Sequence, residues 1–226
     1  MRRFNLFVLF LLCVSVSFGQ QSEDRAVSHF SGIKVSDGID LYLRQGGVEK
    51  VQVEADDIDI DRIITDVSAN TLRIHIEGNS YRSFDVKVYV TFKELEEISA
   101  SAAANVYSEG VIKVKNLEVS VSSAADVVLE VESADLEVSV SSSGDLELSG
   151  RTERFDASVS SAGDLDAYDL DAGEVRVRAS SAGDARVTVT KFLDARASSA
   201  GSIRYRGNPS QSNTDSSSGG SVRKSG

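Results

Sequence analysis

The chain has 226 residues, with 24 basic and 35 acidic side chains, a single cysteine and no tryptophan. A formal net charge of −11 argues against nucleic acid as a partner, because binding a polyanion depends on phosphate neutralisation by Lys and Arg. One cysteine excludes an internal disulfide, so stability must come from packing and backbone hydrogen bonds.

Residues 1–20 read as a secretory signal peptide: Arg2 and Arg3, an apolar run from Phe4 to Val16, then Ser17, Phe18, Gly19 and Gln20. The run is shorter than the roughly 20 residues that span a bilayer. No later segment is uniformly apolar, so no transmembrane segment is expected in the mature chain. Cys13 follows Leu12 inside the apolar run, which fits an inert signal-peptide cysteine better than a lipid-attachment site, where a small residue precedes the sulfur. Cleavage leaves 22 basic against 35 acidic residues, a net charge of −13. The expected location is outside the cytoplasm: periplasm, outer-membrane surface or extracellular.

Residues 28–107 form an N-terminal β region continuous with the repetitive segment that begins at residue 108. Its clearest strands are Ile39 to Leu43, Val48 to Ala55, Leu72 to Ile76 and Val86 to Val90, each alternating apolar and polar residues. Asp56 to Val67 is the one helix candidate, with Ile60, Ile63, Ile64 and Val67 on one face. Within it, Asp57, Asp59 and Asp61 imitate the start of an EF-hand loop. The match fails at Arg62, where Gly is needed, and at Ser68, where the bidentate Glu belongs.

From residue 108 to 206 the chain repeats. Seven small-residue corners align, counting one just before this stretch and one after it: SAAANV around Asn105, SSAADV around Asp126, SSSGDL around Asp145, SSAGDL around Asp164, SSAGDA around Asp184, SSAGSI around Ser202 and SSGGSV around Ser221. Successive steps are 21, 19, 19, 20, 18 and 19 residues. Between corners lie alternating runs such as Leu117 to Val121, Leu136 to Val140 and Val175 to Ala179, which read as half-buried strands. The period is too short for a propeller blade of about 40 residues and has no helical part. The fold class is therefore all-β, a right-handed single-stranded parallel β-helix (solenoid), the handedness following from the rule for parallel crossovers. Antiparallel hairpins would not need a fixed period. In the corners, Gly is expected to take positive φ and the following Asp to accept backbone N–H bonds as an Asx-turn. Residues 207–226, rich in Ser and Gly, read as a last coil or a tail.

The opening Phe30 to Val35 segment, the Gly38 to Gly46 segment, the strands at Val51 to Ala55 and Leu72 to Ile76, and the Ser-Ser-Ala-Gly-Asp corners together resemble the putative autotransporter adhesin, head GIN domain family, over about residues 28 to 205. That family is found largely in exported proteins of Bacteroidetes-type bacteria. The resemblance implies a parallel β-helix with an N-terminal β region and no established biochemical activity.

Asp126, Asp145, Asp164 and Asp184 are expected to form a ladder along one edge, about 5 Å apart. Exposed unit charges at that spacing repel by about 0.8 kcal/mol in bulk water, which is tolerable without a counter-ion. No cofactor is required. Calcium is a conceivable guest of the ladder, but it takes six to eight oxygens and each coil supplies few. No G-x-S-x-G elbow is present, and His29 and His75 both lie outside the corners, so no catalytic constellation is evident. The enzymatic alternative is a carbohydrate-active β-helix, a polysaccharide lyase or hydrolase. Adjacent Asp rungs could match the roughly 5–5.5 Å of a retaining carboxylate pair. Against it stand the absence of tryptophan and of an evident aromatic platform. The expected function is a non-catalytic cell-envelope binding or structural module acting through the solenoid faces on an envelope or extracellular ligand, polysaccharide or protein.

Overall fold

The computed structural model describes residues 21–78 and 84–225; the expected signal peptide, with Cys13, lies outside them. The N-terminal part contains β1 (Gln21–Arg25), β2 (Gly32–Val35), β3 (Asp40–Gln45), β4 (Lys50–Asp56), β5 (Ile63–Ser68), β6 (Thr71–Ile76), β7 (Asp85–Phe92), β8 (Glu97–Ala100) and β9 (Asn105–Lys113). The repeat comprises β10 (Asn116–Val121), β11 (Asp126–Val140), β12 (Asp145–Val159), β13 (Asp164–Ala179), β14 (Asp184–Ala197), β15 (Ser202–Arg206), β16 (Gln211–Ser216) and β17 (Ser221–Lys224).

These strands stack in parallel as a β-solenoid of about seven turns. The register is direct: Asp126 pairs with Asp145, Asp145 with Asp164, Asp164 with Asp184, Asp184 with Ser202 and Ser202 with Ser221. The corners therefore form a column. One face runs β1, β4, β7, β3, β9, then the leading halves of β11 to β14, then β15 and β17. The other runs β5, β6, β2, β8, β10, then the trailing halves of β11 to β14, and β16. Three pairings, β1 with β4, β4 with β7 and β5 with β6, are antiparallel, and they close the N-terminal end.

Alternation places Val, Leu, Ile and Ala inside, where successive coils align Leu117, Leu136, Phe155, Val175 and Leu193 in one fully buried column. Burying each such side chain stabilises by about 1.5–3 kcal/mol, so the stack is a sum of similar increments between neighbouring coils. Phe30 and Phe92 are fully buried in the N-terminal part. Strands β11 to β14 run unbroken through what the sequence suggests are loops, bending at positions such as Gly150 (φ 107°), where a Cβ would stand 2.2 Å from the Val131 carbonyl oxygen.

The corner chemistry differs from expectation in two ways. The positive φ values fall on the two residues before the glycine slot, as at Ser123 (55°) and Ala124 (58°) or Ser161 (52°) and Ala162 (59°). With Ala125 N–H donating to the Ser122 carbonyl (3.2 Å), each corner is a tight turn with both central residues left-handed. That conformation costs roughly 1–2 kcal/mol per non-Gly residue. Stacking offsets it: Ala124 N–H donates to the Ser142 carbonyl of the next corner, and Ser143 N–H to that of Ser161. Glycine in the slot just before the Asp or Ser serves close approach instead, since a Cβ at Gly201 would lie 2.4 Å from the Ala179 carbonyl oxygen, whereas Gly219, one place earlier in its corner, does take positive φ (77°). Of the corner aspartates, Asp164 and Asp184 pair with arginine side chains.

Two N-terminal expectations are also corrected. Asp56 to Val67 is not a helix: a single 3-10 turn, Ile60–Arg62, leads into β5, which pairs antiparallel with β6. The helix-like spacing of Ile60, Ile63, Ile64 and Val67 misleads because the β-branched run Ile63-Ile64-Thr65 suits a strand once β6 supplies a partner. Asp59 accepts from Asp61 N–H at 3.1 Å, so this acidic stretch caps a turn. The N-terminal region also holds an eighth corner. Asp37 (φ 66°) and Gly38 (φ 69°) turn the chain, Gly38 N–H donates to the Ala102 carbonyl, and Asp40 pairs with Asn105.

Candidate ligand-binding face

The corner carboxylates extend as a column from Asp40 through Asn105 to Asp126, Asp145, Asp164 and Asp184, then Ser202 and Ser221. Its chemistry changes along the stack. Asn105 Nδ2 donates to Asp40 at 2.7 Å. Asp126 and Asp145 are exposed neighbours, and burial first, then the charge of Asp126, pushes the Asp145 carboxyl above its ordinary range. Asp164 is raised too, chiefly by burial, against the opposing pull of Arg186. The Arg186 guanidinium reaches Asp166 at 3.1 Å and Asp164 and Asp184 at 3.6 Å, while Arg204 reaches Asp184 at 3.1 Å. The C-terminal half of the ladder is thus neutralised by arginines that the strands themselves carry two positions further on. Among the described residues no three His, Cys, Asp or Glu side chains converge as a metal site.

Two residues beyond this column, each strand presents another outward side chain. In order these are Gln52, Tyr89, Tyr42, Tyr107, Val128, Glu147, Asp166, Arg186 and Arg204. The three tyrosines form a stacked row: the Tyr42 ring lies 5.0 Å from Tyr89 at 17° and 5.5 Å from Tyr107 at 27°. Burial is the first cause that raises all three phenol pKa values above the usual one. This row corrects the expectation that no aromatic platform exists. Its signal lay in the sequence, since Tyr42, Tyr89 and Tyr107 each follow an inward Leu or Val in the same slot of a strand. Only the register brings them together.

An open groove of about 320 Å³ runs beside the row, lined by Tyr42, Tyr89, Arg44, Lys50, Gln52 and Glu54 among others. Arg44 is held by Glu109 at 2.9 Å, Lys50 by Asp24 at 3.0 Å, and Gln52 Nε2 donates to Ser22 at 3.3 Å. The opposite face carries a second carboxylate column, Glu97, Glu118, Glu137 and Asp156, flanked by Lys34 and Arg176. Of the histidines, His29 bonds Glu49 at 2.7 Å, and His75 lines an open groove with Ser36, Ser99 and Ser101.

The family described as "Putative auto-transporter adhesin, head GIN domain" matches residues 29–209. The chain belongs to this family. Solved structures similar to this head GIN protein include a putative adhesin from Bacteroides fragilis, 22% identical, covering 92% of this chain and 98% of that one with a TM-score of 0.84. A putative adhesin from Parabacteroides merdae is 22% identical over 92% and 96% of the two chains with a TM-score of 0.72. A putative lipid binding protein from Parabacteroides distasonis is 21% identical over 92% and 97%, with a TM-score of 0.69. At these identities the likeness is one of fold. No curated protein matches the head GIN chain. Among the described residues no helix is long and apolar enough to cross a membrane.

Proposed function

We propose that this head GIN protein is a non-catalytic, exported module of the cell envelope that binds its ligand through the outer faces of the solenoid. What supports this reading most is the way the interior is used. The inward columns are closed by side chains such as Leu41, Val88, Val106, Val127 and Leu165, all at most 1% exposed, so a ligand has the outer faces to work with. Those faces are rigid, because every strand between the two end coils is hydrogen-bonded on both sides, and their grooves are open. A rigid, extended and repetitive surface favours binding over many contacts with little ordering cost.

The test uses purified mature protein, with the chain starting after residue 20. Saturable retention on isolated envelope fragments or on host-cell surfaces, without release of fragments, is the expected result. Depolymerisation of a polysaccharide that vanishes in Asp145→Asn or Asp164→Asn would instead establish the carbohydrate-active alternative.

A further inference from the structure

The tyrosine groove combines aromatic surface with hydrogen-bonding groups of both kinds, which the other grooves named above do not. Tyr42 covers one face of the Tyr89 ring, and across β7 the opposite neighbour of Tyr89 is Gln52 of β4. The groove therefore has an aromatic wall on the β7 side and a polar wall of Lys50, Gln52 and Glu54 on the β4 side. Its volume of about 320 Å³ lies at the lower end of ordinary ligand sites, about 300–1,000 Å³.

The lining restricts the ligand chemistry. Arg44 and Lys50 are balanced by Glu54 and Glu109, so the groove has no net charge to attract a polyanion or a polycation. It is too polar for a lipid chain, whose transfer from water needs apolar walls on all sides. A sugar satisfies both walls. Its hydroxyls donate to Glu54 and accept from Lys50, Gln52 and Arg44, and the C–H face of a pyranose ring packs on an aromatic ring. The polar groups are already held by Glu109, Asp24 and Ser22, which limits the rotamer freedom lost on binding. The groove is open, and strands succeed one another at about 4.8 Å, a step of the order of one sugar unit. That geometry suits an internal stretch of a glycan chain rather than a single terminal residue.

On the reading that this protein binds through its faces, we infer that the groove between β4 and β7 is a saccharide-binding site for uncharged glycan chains, with Tyr89 as the stacking residue and Gln52 and Lys50 as hydrogen-bonding residues. The absence of tryptophan makes tyrosine fluorescence a direct reporter. The probes are laminarin, hydroxyethylcellulose and chitohexaose as neutral glycans, with polygalacturonate as the charged comparison. Retardation in native gels containing the polysaccharides, and fluorescence titration with chitohexaose, read binding by the mature chain.

The expected result is binding to at least one neutral probe, weakened about tenfold or more in Tyr89→Ala and in Gln52→Ala, and unchanged in Tyr168→Phe at the far end of the solenoid. Gln52→Ala trims a half-buried polar side chain on the outer face and leaves the core untouched, so it stays informative if Tyr89→Ala fails to fold. Binding to none of the neutral probes, binding to polygalacturonate alone, or an equal loss in Tyr168→Phe overturns the assignment. Retention on envelope fragments that is equal for the parent, Tyr89→Ala and Gln52→Ala, with no neutral probe bound, would overturn the saccharide site while leaving face binding intact. Absence of any retention would remove both.

Discussion

Asp145 lies directly opposite Asp126 on the next coil, and its carboxyl is lifted above the ordinary range by burial and by that neighbour's charge. One coil further on, the same slot is Asp164, which shares Arg186 with Asp166 and Asp184. The ladder is therefore self-repelling at one end and neutralised at the other, so removing a carboxylate at the first end and the guanidinium at the second should move stability in opposite directions at neutral pH.

At the repelling end, a raised folded pKa means that the folded state holds its proton more tightly than the unfolded chain. The contribution to stability is then present below the unfolded value of about 3.9 and is lost as pH rises through the folded value. Asp145→Asn removes that loss. Its melting temperature should exceed that of the parent at pH 7 and equal it at pH 3, with a gain below about 1 kcal/mol because both carboxylates are exposed. An equal gain at both pH values would show that repulsion is not the cause.

Arg186→Gln should do the reverse. It leaves three carboxylates without their shared guanidinium, costing on the order of 1 kcal/mol at pH 7, and the part of that cost that comes from Asp164, whose pKa Arg186 pulls down, should shrink in acid. Thermal melts at pH 7 and pH 3 check the sign.

Gly201→Ala should destabilise by about 1–3 kcal/mol, because the added Cβ would meet the Ala179 carbonyl oxygen at 2.4 Å, backbone that cannot swing aside. Gly144→Ala should cost clearly less. Its Cβ would meet nothing closer than 3.1 Å, and Ala104 and Ala125 already fill the same slot in earlier coils. Urea unfolding midpoints of the two variants give the comparison.

Replacing Ser161 and Ala162 by Asn and Gly puts residues that favour positive φ where the corner demands it, at 52° and 59°. A gain of about 1 kcal/mol, or about 2–4 °C in melting temperature, is expected from this one corner. A loss would mean that the Ser and Ala side chains contribute more to stacking than the strained backbone costs.

Tyr168 sits where β13 shifts register against β14, under the Arg206 guanidinium at 3.8 Å and bonded to Ser225 at 2.8 Å. Tyr168→Ala should loosen the final coil, with faster amide exchange over 211–225 and little change in the main melting transition, since β16 and β17 are stacked only on one side.

The repeat is legible in the sequence because a solenoid copies one local pattern into every coil: the alternation of Leu136, Val138 and Val140 and the recurrence of Asp126, Asp145, Asp164 and Asp184 are statements about neighbours in sequence. The Ser36 to Asp40 corner is not, because 65 residues separate Asp40 from Asn105, its partner in the stack, against the usual step of about 19. The intervening strands β4 to β8 hide the period. Asp56 to Val67 satisfies a helical spacing that only the β6 partner overrules.

By itself, then, the order of residues determined that this chain stacks strands, which side chains turn inward and where each coil bends, since those depend on alternation and turn preferences within a few residues. Only the tertiary structure decided that Tyr42 stacks between Tyr89 and Tyr107, that Arg186 settles among three carboxylates, and that glycines such as Gly163, Gly183 and Gly201, just before the corner Asp or Ser, serve close approach rather than positive φ. These depend on which strand lies alongside which, and backbone pairing between distant segments is set by the packed whole rather than by any stretch of sequence.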